Sequence, residues 1–219
     1  MNLASSLERT VLHPTASIAN LENAIGEAKK YPLAGLSVPP FWVKKVKRDL
    51  DNLPISLATV VGFPFGYQRT ETKLAEMKIA LQDGATDLEV TLNTSALLSP
   101  TASWIKIELA KCAILAHTHQ ALLTVIIEGS LLDDDQIRTC CKISADAGVD
   151  FVKNATGFVT GHLLISSLVE QITLFRQSLP LSVGIKAVGD IRSGEAAKRL
   201  LAAGASRVCI ANSVDSVLI

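Results

Sequence analysis

One local pattern occurs three times along the chain: a helix-like segment ends in a small residue and a glycine, and an apolar, β-rich run follows. The glycines are Gly84, Gly148 and Gly204, each placed where the end of a helix needs a residue with positive φ. Helices that alternate with short strands require parallel strands joined by crossovers. This repeat restricts the fold of the chain more than any other feature.

Apolar runs predict eight strands, with helix-period segments between them. The predicted strands cover residues 9–12, 34–38, 56–62, 86–93, 122–128, 150–154, 182–187 and 206–211. Residues suited to cap the helices are Ser17, Thr70, Asp133 and Ser193. Eight such units in 219 residues favour a closed barrel, and no glycine-rich dinucleotide motif follows the first strand. We therefore predict an α/β fold, a single (β/α)8 TIM barrel that forms one domain over residues 1–219.

The composition excludes several classes of protein. Apolar residues make up 48 % of the chain and charged residues 19 %, which is incompatible with disorder. Lys and Arg number 21, as do Asp and Glu, so no basic surface for nucleic acid is predicted. No signal-peptide pattern is present, and no apolar run approaches the ~18 residues of a membrane span. We expect a cytoplasmic protein without nucleic-acid or membrane partners, and a homo-oligomer is left open.

The cysteines and histidines show no metal-binding or disulfide pattern. The cysteines contain no Cys-x-x-Cys pair and are expected to be buried thiols in a reducing compartment; they are Cys112, Cys140, Cys141 and Cys209. The histidines are scattered without ligand spacing; they are His13, His117, His119 and His162. We therefore predict no metal site.

Polar residues inside a predicted strand of a barrel point to the lumen, because successive side chains alternate between the lumen and the helix layer. In the fourth strand apolar residues alternate with a polar series that is predicted to face the lumen. The series is Asp87, Glu89, Thr91 and Asn93. Glu128, at the end of the fifth strand, is another inward candidate, either functional or an ion-pair partner of a lysine.

Two lysines are predicted on the lumen side of consecutive strands, near the C-terminal ends where barrel active sites form. Lys153 lies in the sixth strand and Lys186 in the seventh, so their amines are expected to be neighbours. Burial and a nearby cation both lower the pKa of an amine and free it as a nucleophile. Either lysine alone could be a snorkelling side chain, but the pair together with Glu89 favours catalysis.

Several segments taken together resemble deoxyribose-phosphate aldolases. They are residues 10–14 (TVLHP), 60–66 (VVGFPFG), 125–128 (VIIE), 151–158 (FVKNATGF) and 183–186 (VGIK). The resemblance covers about residues 7–213. It implies a (β/α)8 barrel and a metal-free class I aldolase that cleaves 2-deoxyribose 5-phosphate to acetaldehyde and glyceraldehyde 3-phosphate.

The resemblance also implies roles for individual residues. Lys153 matches the lysine that forms the Schiff base, and Lys186 matches the second lysine that perturbs it. Glu89 stands in place of an aspartate that transfers protons, and Glu8 also replaces an aspartate. No cofactor is implied beyond the lysine imine.

The substrate or its phosphate is expected at Thr156, Gly157, Gly189, Asp190 and Asn212. The family has Gly-Gly after the seventh strand and Gly-x-Ser-Ser at the eighth, whereas this chain has Gly189-Asp190 and a Cys-Ile-Ala-Asn run at 209–212. An aspartate repels phosphate and the lost hydroxyls remove donors, although amides of a helix N-terminus near Asn212 remain available.

Three functions follow from these residues. The first is the family's own reaction, and the second is Schiff-base chemistry on an unphosphorylated or different aldehyde. The third is a catalytically silent barrel that binds a metabolite or partner. In the first two cases the partner is a small-molecule aldehyde or sugar phosphate. Lys153 and Lys186 favour the enzymes over the silent barrel, and Asp190 and Asn212 bear on the choice between the two enzymes.

Overall fold

A computed structural model describes residues 2–99, 102–159 and 164–218, and in these ranges eight parallel strands form a closed barrel in chain order. The strands are β1 (Leu7–Thr10), β2 (Gly35–Val38), β3 (Ser56–Val61), β4 (Asp87–Thr91), β5 (Leu122–Ile126), β6 (Phe151–Lys153), β7 (Gly184–Val188) and β8 (Arg207–Ile210). The barrel closes because β1 pairs with both β2 and β8. The predicted (β/α)8 TIM barrel is therefore confirmed.

Helices connect the strands and pack against them from outside. They are α1 (Ile18–Lys30), α2 (Val43–Leu50), α3 (Thr70–Gln82), α4 (Thr94–Leu97), α5 (Ala102–Thr118), α6 (Asp134–Ala147), α7 (Ile165–Ser178), α8 (Gly194–Ala202) and α9 (Asp215–Leu218). Short 3-10 helices cover Leu3–Ser6, Pro40–Trp42 and Gly129–Leu131. None of the helices described is long and apolar enough to cross a membrane.

Three of the four predicted helix caps are confirmed. The side chains of Ser17, Asp133 and Ser193 accept hydrogen bonds from the first-turn amides of α1, α6 and α8. Thr70 is wrong as a cap, because it is the first residue of α3 and Arg69 precedes it without a capping bond. The Thr70 hydroxyl instead donates to Glu108 at 2.9 Å.

The first strand begins earlier than the apolar pattern predicts. It runs over Leu7–Thr10 rather than 9–12, and β7 runs over Gly184–Val188 rather than 182–187. Three of the four residues of β1 are polar, so a search for apolar runs starts too late. The polar side chain of Glu8 is nonetheless fully buried, because it points into the lumen.

The hydrophobic core lies between the strands and the helices. Leu88 and Val90 of β4 are fully buried in one cluster with Met77 of α3 and Leu109 of α5. Burial of each such side chain contributes roughly 1.5–3 kcal/mol to folding. Because this layer takes the apolar faces of the strands, the polar faces are left for the lumen.

The loop between β3 and α3 packs closely against the end of β4. Gly66 has φ +71°, and a Cβ there would lie 2.4 Å from the carbonyl oxygen of Leu92. Only glycine is compatible with both the conformation and the approach. In the same loop the Phe63 ring meets the Phe158 ring edge to face, with 5.2 Å between centroids. The loop therefore supports the segment that follows β6.

Candidate active site

The lumen contains six charged side chains, which we call the lumen ion cluster. Its members are Glu8, Asp87, Glu89, Lys153, Lys186 and Arg207. All except Arg207 have side chains no more than 2 % exposed. Three carboxylates therefore balance three cations. Such a balance is required because an unpaired buried charge is strongly unfavourable.

Glu89 joins the two lysines. Its Oε2 atom accepts a hydrogen bond from Lys153 Nζ at 2.7 Å, and its Oε1 atom accepts one from Lys186 Nζ at 2.8 Å. The Ser37 hydroxyl also donates to Oε2, at 3.1 Å. Lys153 and Lys186 are paired residues of β6 and β7, as the sequence pattern predicts. The two amines thus share one carboxylate.

Lys186 is surrounded by carboxylates. Its Nζ atom lies 2.9 Å from Glu8 Oε2, 2.8 Å from Asp87 Oδ2 and 2.8 Å from Glu89 Oε1. Arg207 Nη1 lies 3.1 Å from Glu8 Oε2 and 3.2 Å from Asp87 Oδ2. Lys186 and Arg207 therefore neutralise the deeper carboxylates, and Glu89 links them to Lys153.

The carboxylates reverse the expected pKa shift of Lys153. Burial is the largest single effect and acts to lower the pKa of the amine, but the interactions with Glu89, Cys209 and Glu8 together outweigh it, and the pKa is raised above 10.5. Burial likewise opposes the charges of Asp87, Glu8 and Glu89 at Lys186, whose pKa is raised well above 10.5. The expected lowering is therefore wrong for the resting protein, because it considered burial and the second cation without the charges of Glu89 and Glu8.

The pKa of Glu89 moves in the opposite direction. Burial acts to raise the pKa of this carboxyl, but the charges of Lys153 and Lys186 together lower it below its ordinary value of 4.5. Glu89 is therefore a carboxylate in the resting protein, with each oxygen bound to one ammonium group.

A cavity of about 640 Å³ opens above Lys153 at the C-terminal ends of the strands. This volume lies within the usual range for small-molecule sites. All five residues expected to bind substrate or phosphate line it: Thr156, Gly157, Gly189, Asp190 and Asn212. Of the lumen ion cluster, only Lys153 lines the cavity among the residues described. The Lys153 amine is thus placed to meet a bound molecule.

Glu128 lines the cavity but pairs with neither lysine in the described structure. Its Oε2 atom accepts hydrogen bonds from the Thr156 amide at 3.0 Å and from the Thr156 hydroxyl at 2.5 Å. Its Oε1 atom accepts from the Ser130 hydroxyl at 3.1 Å. Glu128 therefore holds the segment after β6, in which Gly157 has φ +82°.

The distal wall of the cavity differs from the expectation in two ways. Asp190 does not stand alone, because Arg192 Nε donates to its carboxylate at 2.7 Å. The start of α9 is not free either. The Val214 amide donates to Glu27 at 2.9 Å, and the Asp215 amide donates to the Ser213 hydroxyl at 3.3 Å. These two amides at the start of α9, which were expected to remain for a ligand, are therefore used within the protein.

Asn93 is wrong as a lumen residue. It follows β4, and its side chain accepts a hydrogen bond from the Ala96 amide as the cap of α4. Asp87 and Glu89 do face the lumen as predicted. Thr91 is buried, and its hydroxyl has no hydrogen-bond partner within the described ranges.

The histidines and cysteines have other surroundings. His13 Nδ1 contacts the Thr15 hydroxyl at 2.7 Å, His117 Nε2 contacts Asp150 at 2.9 Å, and His162 lies outside the described residues. In the part of the chain that the structure describes, no group of three or more potential ligands could hold a metal ion. All four cysteines are buried and free, as expected.

Sequence reasoning missed two arginines and the part played by Glu8. Arg207 lies inside the predicted eighth strand, so the rule that identified Lys186 would have identified it also. Glu8 escaped that rule because the predicted first strand begins at residue 9, whereas β1 begins at Leu7. Arg9 lines the cavity from near the end of β1, and it lay inside the predicted first strand without being considered. Cys209 also lines the cavity, and its thiol donates to Glu8 at 3.5 Å.

Glu89→Gln should lower the free energy of unfolding at pH 7 by about 3–5 kcal/mol, because two buried ammonium groups lose a carboxylate. Since the pKa of Glu89 is lowered on folding, its charge stabilises the fold above pH 4.5, and this contribution is lost as the pH falls further. The difference between wild type and variant should therefore shrink in acid. Urea unfolding followed by circular dichroism measures both effects.

Asp49→Asn is the matched control. It removes a carboxylate that lies 2.6 Å from Lys45 on the surface of α2. Solvent screens this pair, so a much smaller loss of stability is expected. Equal losses in the two variants would contradict the interdependence of the lumen charges.

Comparisons with known proteins agree with this geometry. Residues 7–211 match the family model described as DeoC/LacD family aldolase. The deoxyribose-phosphate aldolases of Bacillus cytotoxicus and Bacillus mycoides are each 37 % identical over 218 residues, covering 100 % of this chain and 96 % of theirs.

Solved structures show the same likeness. A tetrameric deoxyribose phosphate aldolase from Aeropyrum pernix is 32 % identical, with a TM-score of 0.87 over 99 % of this chain and 89 % of that one. An aldolase called QR15 is 27 % identical, with a TM-score of 0.90 over 100 % of this chain and 95 % of that one. This chain therefore belongs to the DeoC/LacD family of aldolases.

Proposed function

We propose that this aldolase reversibly cleaves 2-deoxy-D-ribose 5-phosphate to acetaldehyde and D-glyceraldehyde 3-phosphate through an imine on Lys153. One observation carries the proposal: the Lys153 amine lies on the floor of the cavity, while Glu89 beside it and Lys186 behind it are sealed in the lumen. The names of the Bacillus and Aeropyrum relatives support the choice of substrate.

The chemistry follows from an amine that meets an aldehyde. The Lys153 amine adds to C1 of the open-chain sugar, and loss of water from the carbinolamine leaves an iminium ion. Removal of the proton from the C3 hydroxyl then breaks the C2–C3 bond, and its electron pair moves into the iminium to form an enamine. Glyceraldehyde 3-phosphate leaves. Protonation of the enamine carbon and hydrolysis of the imine release acetaldehyde and restore the amine. These steps use the lysine imine and need no metal or organic cofactor.

Glu89 is the group best placed to move protons in these steps. Its Oε2 atom lies 2.7 Å from the reacting nitrogen, so it can take a proton from Lys153 and return it directly or through a water. Lys186 holds the other oxygen of this carboxylate. The raised pKa of Lys153 means that the amine must lose a proton before it can attack, which favours imine formation at higher pH.

The distal end of the cavity supports a phosphate. The backbone N–H groups of Gly189, Asp190 and Asn212 have no hydrogen-bond acceptor in the part of the chain described, and these residues line the cavity. Backbone amides are common phosphate ligands. Thr156 and Gly157 line the same cavity, and the bonds from Glu128 to Thr156 hold their segment in place.

A second candidate keeps the imine chemistry but acts on an unphosphorylated or different aldehyde. The carboxylate of Asp190 on the cavity wall favours it, because a negative charge opposes a phosphate. The ion pair between Asp190 and Arg192 reduces that opposition and favours the phosphorylated sugar.

Treatment with acetaldehyde and sodium borohydride should attach an ethyl group to Lys153, because borohydride reduces an imine to a stable amine. Peptide mass mapping locates the adduct. Labelling should be faster at alkaline than at neutral pH, since the raised pKa keeps Lys153 protonated at neutrality. Lys73 and Lys186 are internal controls, because both are fully buried and neither lines the cavity. The proposal would be rejected by labelling of Lys186 or by random labelling of surface lysines. It would also be rejected if no lysine were labelled, and that result would favour a catalytically silent barrel.

Lys186→Met should move the pH profile of sugar cleavage to higher pH. Lys186 acts to lower the pKa of Lys153, so its removal leaves the Lys153 amine more strongly protonated, and part of the lost rate should return in alkali. The control is Lys73→Met, which removes a buried lysine that is paired with Glu108 outside the lumen. An unshifted profile for Lys186→Met, or equal shifts in both variants, would show that Lys186 does not tune Lys153.

We propose further that the enzyme is a cytoplasmic homo-oligomer in which residues 1–219 form one domain. Four free, buried thiols support a reducing compartment, and the tetrameric Aeropyrum relative supports assembly. Trp104, Ile107 and Ile114 form an exposed apolar stripe along α5 that is suited to a subunit contact. Sedimentation equilibrium should show a species larger than a monomer, and a monomer at every concentration would exclude assembly.

A further inference from the structure

Arg9 stands at the distal end of the cavity. It lies near the end of β1, and its Nη1 atom donates to the carbonyl oxygens of Thr10 and Ala211, each at 2.7 Å. Ala211 and Asn212 line the cavity after β8, so the guanidinium adjoins the wall at which the phosphate is expected. The side chain is mostly buried, with 11 % exposure.

One donor group of this guanidinium is unused. Nε donates to Glu27 at 2.8 Å, and Nη1 makes the contacts to carbonyl oxygens. Nη2 has no hydrogen-bond partner within the described residues. It is not one of the fully buried atoms that lack a partner in these residues. Arg9 lines the cavity, and Nη2 is the donor group of its guanidinium that these contacts leave unpaired.

Other sources of positive charge are scarce at this end. Among the described residues that line the cavity, the only lysine or arginine side chains are Lys153 and Arg9. Lys153 is required for the imine. The first amides of α9 are bound to Glu27 and Ser213, and Asp190 adds a negative charge that is only partly offset by Arg192.

We infer that Arg9 binds the distal anionic group of the substrate and gives this enzyme its preference for a phosphorylated sugar. This inference rests on the proposed function. An arginine presents a planar set of donors that suits phosphate oxygens, and a charge-assisted hydrogen bond is about twice as strong as a neutral one. Arg9 thus supplies a charged donor at the distal wall, while its own ion pair is with Glu27.

Arg9 also has a structural contact that the experiment must separate from ligand binding. Glu27 Oε2 accepts from Arg9, while Glu27 Oε1 accepts from the Ser213 hydroxyl at 2.6 Å and from the Val214 amide at 2.9 Å. Arg9 and Glu27 together therefore hold the segment after β8. If Arg9 only held this segment, loss of either partner would have the same effect on every substrate.

The decisive measurement compares Arg9→Gln with Glu27→Gln. For each, the ratio of kcat/KM for 2-deoxyribose 5-phosphate to that for 2-deoxyribose is determined, together with the inhibition of 2-deoxyribose cleavage by inorganic phosphate. Arg9→Gln should lower the ratio about 10- to 100-fold and weaken inhibition by phosphate in proportion. Glu27→Gln removes the ion pair that holds the segment after β8 but keeps the positive charge of Arg9. The ratio for this variant should therefore stay within about threefold of wild type.

Arg9→Lys is a second variant that keeps the positive charge but lacks the planar set of donors, and it should retain part of the preference for the phosphorylated sugar. The inference is overturned if Arg9→Gln leaves the ratio unchanged, or if both Gln variants lower it equally. If Arg9→Gln does not fold, an unchanged ratio in Arg9→Lys together with a reduced ratio in Glu27→Gln also overturns it. Borohydride labelling of wild-type Lys153 by acetaldehyde, which has no phosphate, distinguishes failure of this inference from failure of the proposed function.

Discussion

The charge balance inside the barrel is the constraint on which the rest of the structure depends. Three carboxylates and three cations share the lumen, where every one of these side chains except Arg207 is no more than 2 % exposed, and each cation lies within 3.2 Å of at least one carboxylate oxygen. An unpaired charge there would be costly, so the members must be retained or lost together. The hydrophobic layer between strands and helices is conventional by comparison. This layer stabilises the barrel, but it does not determine which charged groups lie together in the lumen.

The lumen ion cluster contains residues of two kinds, those that reach the cavity and those that do not. Lys153 reaches the cavity, whereas Glu89 and Lys186 act on it from a sealed position. Their charges therefore act through a medium of low dielectric, which strengthens their interactions with the Lys153 nitrogen. The same arrangement holds Lys153 protonated at rest. In the proposed mechanism, proton transfer from Lys153 to Glu89 is therefore part of activation, because no neutral amine is present in advance.

The two ends of the cavity follow different rules. At the floor, the contacts around Lys153 are buried, paired and tightly defined. At the distal wall, Asp190 and Arg192 are exposed, and Arg9 lines the cavity while it is held by Glu27. Under the proposed function, the chemistry at the floor and the substrate preference at the wall can therefore change separately, because different elements supply them.

The sequence by itself determined the barrel, the eight strands and the lumen positions of Asp87, Glu89, Lys153 and Lys186. Local rules suffice there, because alternation within a strand and the repeat of helix and strand are properties of neighbouring residues. Only the tertiary structure decided how those charges combine. Glu8 and Arg207 come from opposite ends of the chain, and they are brought to Lys186 by the closure of β1 against β8. The direction of the pKa shift of Lys153 and the place of Arg9 beside Ala211 depend on the same closure, since electrostatic interactions follow distance in space and not separation along the chain.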